Sequence, residues 1–293
     1  MGDFKRGLGE LKKNLEKEPL FKEKLKADVD KGEVFFAIRN NECSFYYKGQ
    51  NLFKYSAKGF STNSKFAFIP TVENYMTEKK LLETKATTFI NGYKSTKARI
   101  RLYAEPESGR VSALYKFSPR KENINDQYFL VDLEVSLEEK TAKKDRPKKK
   151  KKTGTDEIDF LLYDNYNHIL LFCEAKYYKN GDLSDKKNPP NVIRQLERYN
   201  KQINDDYVYR NILEQYKNAF IEYNYLFGTK LTKPKEICKK CGLYVFGFSQ
   251  EKLKLFKNRL NNKTFYGHSC RMIGYTGKDS AEKIFRAFTS KDD

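Results

Sequence analysis

Short apolar runs separated by turn signals alternate along this chain with segments of helical period. Residues 1–30 are charged and patterned as a basic amphipathic helix or helix pair. From Glu33 to Ile69 the runs VFFAIR, CSFYYKG, NLFKYS and KFAFIP read as strands, with Gly32, Asn40-Asn41, Lys48-Gly49 and Gly59 at the turns. Residues 71–104 read mainly as helix, and Pro106, Gly109 and Pro119 break the stretch that follows. Two apolar runs, EIDFLLY (157–163) and ILLFCEAK (169–176), flank the turn-like DNYN (164–167) and read as strands. NPPNVIRQLERYNKQI (188–203) reads as a helix with Asn188 as its cap, Pro189 in its first turn and Val192, Leu196, Tyr199 and Ile203 on one apolar face. Beyond it come a helix over 206–227, a loop with Pro234, a strand over 243–249, a basic helix over 250–261, a strand near 270–275 and a closing helix over 279–288. This alternation predicts an α/β fold.

The two runs around DNYN carry the candidate chemistry. Side chains alternate faces along a strand, so Glu174 and Lys176 point the same way as Leu170 and Phe172. Nearly everything on both faces is apolar, which suits a central strand, and charges there are costly unless paired or bound to a metal. In an antiparallel hairpin, a two-residue turn puts Asp159 opposite Phe172 with Glu174 diagonal, and a six-residue connection puts Asp159 directly opposite Glu174. Either register keeps Asp159, Glu174 and Lys176 on one face, roughly 5–8 Å apart. Mg²⁺ prefers oxygen ligands, and Asp159, Glu174 and the carbonyl of Ala175 would supply them. A metal there would polarise a phosphate and activate a water, with Lys176 holding or helping to deprotonate that water and offsetting transition-state charge. The same spacing also fits a surface hairpin with an ordinary Glu–Lys pair.

Asp159 followed by Glu174-Ala175-Lys176 resembles the PD-(D/E)xK nuclease superfamily, with Ile158 where the family usually has Pro. Gln195 and Tyr199, four apart on the next helix, resemble the Gln-x-x-x-Tyr helix of RecB-type exonuclease domains, where both residues face the active site. The resemblance covers about 128–205. It implies a restriction-endonuclease-like fold: a central mixed β-sheet flanked by helices, here with a small β-rich N-terminal module. The family's early strand fits YFLVDLEVSL (128–137), with Val131, Leu133, Val135 and Leu137 on one face and Asp132 and Glu134 on the other. Glu134 is the candidate for an additional acidic ligand, in competition with Glu73, Glu78 and Glu83 upstream. The implied site is catalytic Asp159, Glu174, Lys176, Gln195 and Tyr199, with Asp159, Glu174, Ala175 and Glu134 around Mg²⁺ or Mn²⁺. The expected domains are 1–70, read from the residue pattern as a helix and β-rich module that would position nucleic acid, and 71–293, the nuclease-like domain.

Charge strengthens the nucleic-acid reading. The 293 residues carry 58 Lys plus Arg against 39 acids, a net charge of +19, which favours an anionic polymer. The run KKDRPKKKKKTGT (143–155) is expected to be a mobile loop, and its Lys148, Lys149, Lys150, Lys151 and Lys152 fit equally a grip on a DNA backbone and a solvated insertion. In the N-terminal module Arg39, Tyr46, Tyr47, Lys48, Lys54 and Tyr55 form a mixture that can stack bases and track phosphates, or serve as hairpin core with a basic rim. Five cysteines fit a reducing compartment. Cys238 and Cys241 with His268 and Cys270 have zinc-like spacing, but one Cys-x-x-Cys is a weak signal and argues little for structural zinc. Only two histidines disfavour His-metal nucleases, and no Gly-x-x-x-x-Gly-Lys-Ser/Thr is present for an ATPase. There is no apolar run of membrane length and no apolar signal core, and Arg6 spoils a Met1-Gly2 myristoylation pattern, so a cytoplasmic, intracellular protein is expected. The function expected is a metal-dependent nuclease acting on DNA, with RNA not excluded, in a role such as phage defence, restriction or repair. The alternatives are a catalytically silent nucleic-acid-binding protein with the same fold and a zinc-stabilised interaction protein.

Overall fold

Two sheets share the work of burying the apolar runs. The structure, a computed structural model, describes residues 4–67, 74–104, 106–137, 157–184, 186, 188–260 and 264–274. The first sheet is an antiparallel meander of β1 (Phe35–Ile38), β2 (Cys43–Tyr47), β3 (Gln50–Ser56), β4 (Gly59–Asn63) and β5 (Tyr75–Thr77). It is preceded by α1 (Leu11–Leu15) and by a π-helical turn Phe21–Leu25 that runs into α2 (Lys26–Asp30). It is followed by α3 (Glu78–Glu83), α4 (Tyr93–Arg101), α5 (Pro106–Val111) and a 3₁₀ turn Ser112–Phe117.

The second sheet is mixed. It contains β6 (Tyr128–Ser136), β7 (Glu157–Asp164), β8 (Ile169–Tyr177), β9 (Glu236–Ile237), β10 (Gly242–Phe248), β11 (Thr264–Phe265) and β12 (His268–Gly274). The order is β11-β12-β10-β8-β7-β6, with β9 also on β8. β6, β7 and β8 are antiparallel neighbours, whereas β10 runs parallel to both β8 and β12. The crossover from β8 to β10 is made by α6 (Asn191–Ile203) and α7 (Asp206–Phe227), and α8 (Gln250–Lys257) follows β10.

Local chemistry fixes these boundaries. The carboxylate of Asp164 accepts the backbone N–H groups of Tyr166 and Asn167 at 2.9 and 3.0 Å, closing the β7–β8 turn. Pro190 forbids helical backbone at Pro189, so α6 starts only at Asn191 and Asn188 is not its cap. Asp205 caps α7 by accepting from the N–H groups of Tyr207 and Val208, and Gly228 ends it at φ 63°.

β8 is covered on both faces. Leu161, Leu170, Phe172, Leu243 and Val245 join the apolar sides of α6 and α7 in one buried cluster, where Phe172 meets the Tyr216 ring at 6.4 Å. Leu162, Leu171, Cys173 and Phe246 join Leu114 and Tyr115 of the 3₁₀ turn and Phe35 and Ala37 of β1 in another. The first sheet therefore packs into the same core as the second. Phe36 lies 5.1 Å from Phe227 at the end of α7.

The α/β class and the mixed, helix-flanked sheet match the sequence expectation. Three details differ. KFAFIP is not the fourth strand: residues 64–67 are a turn, and 68–70 lie outside the described residues. The strand is GFSTN instead, because Gly59 (φ 83°) turns the chain straight back and pairs Phe60 with Tyr55. Its burial rests on Phe60 and on Thr62, whose hydroxyl donates to the Leu52 carbonyl at 2.8 Å, a weak apolar signal in sequence. Second, a boundary at residue 70 cuts the first sheet, whose last strand is β5. Third, the stretch expected as mainly helix contains β5 and two separate helices. The closing helix expected over 279–288 lies outside the described residues.

Candidate active site

The β7–β8 ladder pairs Phe160 with Cys173 and Leu161 with Phe172, which carries Asp159 opposite Glu174. This is the direct register, reached through a connection of four residues rather than six because pairing continues to Asp164 and Ile169. Asp159 Oδ2 accepts the backbone N–H of Ala175 at 2.6 Å, which anchors its carboxylate on β8. Lys176 Nζ donates to Glu174 Oε1 at 2.6 Å. Glu174 is 1 % exposed and Lys176 9 %, while Asp159 is half-buried and sits at the mouth of the group. The next residue, Tyr177, packs over Gly247 (φ 86°), where any Cβ would lie 2.2 Å from the ring.

Glu174 is an unsatisfied acid. Its Oε2 is buried, and among the described residues no N–H or O–H donates to it; the carboxyl group it meets is that of Asp159. Burial and the neighbouring Asp159 carboxylate push its carboxyl well above the usual carboxylate range, against the pull of Lys176. A buried oxygen without a donor, next to a second carboxylate, fits a hard divalent cation with oxygen ligands. Among the described residues no group of three or more His, Cys, Asp or Glu side chains is placed to hold a metal. Asp159 and Glu174 are the two carboxylates that the strands bring together there.

Gln195 and Tyr199 reach the same corner. Gln195 Nε2 donates to the Tyr199 hydroxyl at 2.7 Å, and that hydroxyl donates to the Glu157 carbonyl at 3.1 Å. Tyr199 is fully buried, so the pair acts on the backbone at the start of β7, two residues before Asp159. Arg194 and Arg198 are exposed on the same helix.

Of the other expected acids, Glu134 lies across the β6–β7 ladder from Asp159, while Glu78 and Glu83 are on a separate helix. Glu134 falls between the ladder pairs Leu133–Phe160 and Val135–Ile158, but its backbone is left-handed (φ 48°) and its carboxylate meets Tyr46, near Arg39 and Glu157. Glu78 accepts the N–H of Phe89 at 3.2 Å on α3, which packs beside β4 and β5, and Glu83 is exposed on that helix. Glu73 and Lys148, Lys149, Lys150, Lys151 and Lys152 lie outside the described residues. In the N-terminal module Tyr46, Tyr47 and Tyr55 are buried, so these rings serve the core and are not presented for base stacking. All five cysteines are free, and Cys238, Cys241, His268 and Cys270 form no metal-binding group among the described residues.

A buried centre that sequence reasoning missed lies beside this site. A bulge after Leu130 shifts the β6–β7 register so that Asp132 pairs with Leu161, on the α7 face. Its carboxylate binds Arg6 Nε at 3.0 Å, the Arg39 guanidinium, the Tyr216 hydroxyl at 2.7 Å and the Leu133 N–H at 2.8 Å. A lone Asp inside the apolar run YFLVDLEV was the available signal; its partners are 126, 93 and 84 residues away in sequence.

No protein-family model matches the chain, and neither a curated protein nor a solved structure is significantly similar to it. No helix among the described residues is long and apolar enough to cross a membrane.

Proposed function

We propose that this chain is a metal-dependent nuclease that hydrolyses phosphodiester bonds of DNA on a restriction-endonuclease-like fold. One observation supports the reading: the register that ends at Phe160–Cys173 leaves Asp159 beside Glu174, whose buried Oε2 meets no N–H or O–H donor among the described residues. Mg²⁺ or Mn²⁺, when bound, supplies Lewis-acid stabilisation of the phosphodiester. Asp159 and Glu174 hold it through their carboxylates. Lys176 would hold or help deprotonate the attacking water and offset charge on the pentavalent phosphorus. Gln195 and Tyr199 are positioning residues, acting through the Glu157 carbonyl on the strand that carries Asp159. The charge of +19 and the exposed Arg194 and Arg198 favour a polyanionic substrate.

The test is a digestion panel with circular and linear DNA and RNA, in Mg²⁺, Mn²⁺ or EDTA. Cleavage of DNA with metal and none in EDTA is expected, and a Lys176→Ala variant should bind without cutting. Equal cutting by that variant would remove the proposal. The existing Glu174–Lys176 pair favours a second reading, a silent nucleic-acid-binding protein, because it already gives the acid a cation. Salt-dependent binding with no cleavage in any metal would select that reading.

A further inference from the structure

An open cleft of about 470 Å³ lies between the N-terminal segment, the turn after β1 and the outer side of α7. Its size is that of small-ligand sites. Lys5, Arg6 and Lys12 line it, against the single acid Glu222. That acid is already engaged: Oε2 accepts the Leu8 N–H at 2.5 Å and Oε1 the Gly9 N–H at 3.0 Å, with Lys12 Nζ at 3.6 Å. Arg6 gives Nε to Asp132 and Nη1 to the Lys5 carbonyl, while its Nη2 has no partner among the described residues. The cleft thus offers more positive charge than its own groups consume.

Its remaining walls are carboxamides. Asn40, Asn41 and Asn218 are exposed and their side chains make no hydrogen bond among the described residues. Gln215 Oε1 accepts the Arg6 N–H at 2.9 Å, which leaves its NH₂ as a donor. The turn that presents Asn40 and Asn41 is preformed, since the Gly7 N–H donates to the Arg39 carbonyl at 2.9 Å and the Asn41 N–H to the Gly7 carbonyl at 2.8 Å. Ile221, 46 % exposed, adds an apolar surface. Cations match phosphate oxygens, and Asn or Gln amides present the paired donor and acceptor that match base edges.

We propose that this cleft is a nucleotide-binding site that takes the phosphate on Lys5, Arg6 and Lys12 and the base or sugar on the carboxamides. It shares no residue with the Asp159–Glu174–Lys176 group and stands without the nuclease reading. Through Arg6 and Asp132 its occupant would touch the β6–β7 pair.

Calorimetric titration of the full chain in EDTA, with ATP, AMP, pyrophosphate and a short oligothymidylate, tests it. Saturable one-site binding of ATP is expected. Lys5→Glu and Asn218→Asp, both at exposed positions, should each weaken it about tenfold or more, the first by setting a carboxylate against the phosphate and the second by removing an amide donor and adding negative charge. Lys176→Ala should leave it unchanged. Absence of saturable nucleotide binding up to about 1 mM, the weak end of specific affinities, would overturn the site. So would binding of the oligonucleotide alone, indifference to both cleft substitutions, or loss of binding in Lys176→Ala.

Discussion

Asp132 and Glu174 are two acids buried on the same face of one sheet, and they are treated in opposite ways. Asp132 has two guanidiniums, a phenol and a backbone N–H on its oxygens. Burial pushes its carboxyl up, but Arg39 and Arg6 win and hold it below the ordinary value. Glu174 has one ammonium, a carboxylate neighbour and an oxygen with no N–H or O–H donor among the described residues, and its carboxyl is pushed well up. A complete shell locks the N-terminal segment, β6 and α7 together. An incomplete shell is a cost to folding that a bound cation would relieve. The contrast separates an acid whose shell is complete from one whose shell is not.

The largest effect should come from breaking the locked centre. Asp132→Ala leaves two buried guanidiniums uncompensated and should cost roughly 3–5 kcal/mol, read as a loss of unfolding free energy in urea. Because its carboxyl sits low in the folded state, the stability Asp132 provides is present above the unfolded value and is lost as pH falls through the folded one. Lys176→Ala should leave the fold intact and lower metal-dependent cleavage by about 10²–10³-fold, the usual effect of removing one electrostatic stabiliser, in single-turnover assays.

Glu174→Gln sharpens the comparison further, because stability and activity should move apart. A folded carboxyl that keeps its proton above the unfolded value makes folding take up a proton in that window. Wild-type stability without metal should therefore fall as pH rises through it and stay reduced above it. The variant should lose this dependence, be the more stable protein at pH 8 in EDTA, and fail to cleave. Tyr199→Phe should be the mildest change, costing roughly 1 kcal/mol for the hydrogen bond to the Glu157 carbonyl. Its cleavage defect should be a few-fold and should appear without loss of DNA binding.

How much of this was legible in sequence follows from the range of each interaction. The period-2 runs of β7 and β8 and the helical stripe of α6 carried Asp159, Glu174, Lys176, Gln195 and Tyr199 to one corner, because alternation and ladder register decide faces locally. Glu134 and Asp132 were not legible in the same way. The bulge after Leu130 and the left-handed backbone at Glu134 change which face each acid takes, and neither has a residue signature in YFLVDLEVSL. Arg6 and Arg39 are surplus cations among 58 until the fold brings them to Asp132. The rings of Tyr46, Tyr47 and Tyr55 looked equally suited to core and to ligand, and only burial distinguished the two uses.

The most direct measurement is a Mn²⁺ titration of wild-type, Glu174→Gln and Asp132→Asn proteins at pH 8, followed by electron paramagnetic resonance. The wild-type chain should bind Mn²⁺ saturably, the Glu174 variant should lose that binding, and a folded Asp132 variant should keep it. Unchanged Mn²⁺ binding in Glu174→Gln would contradict the assignment of that buried carboxylate as the cation's ligand.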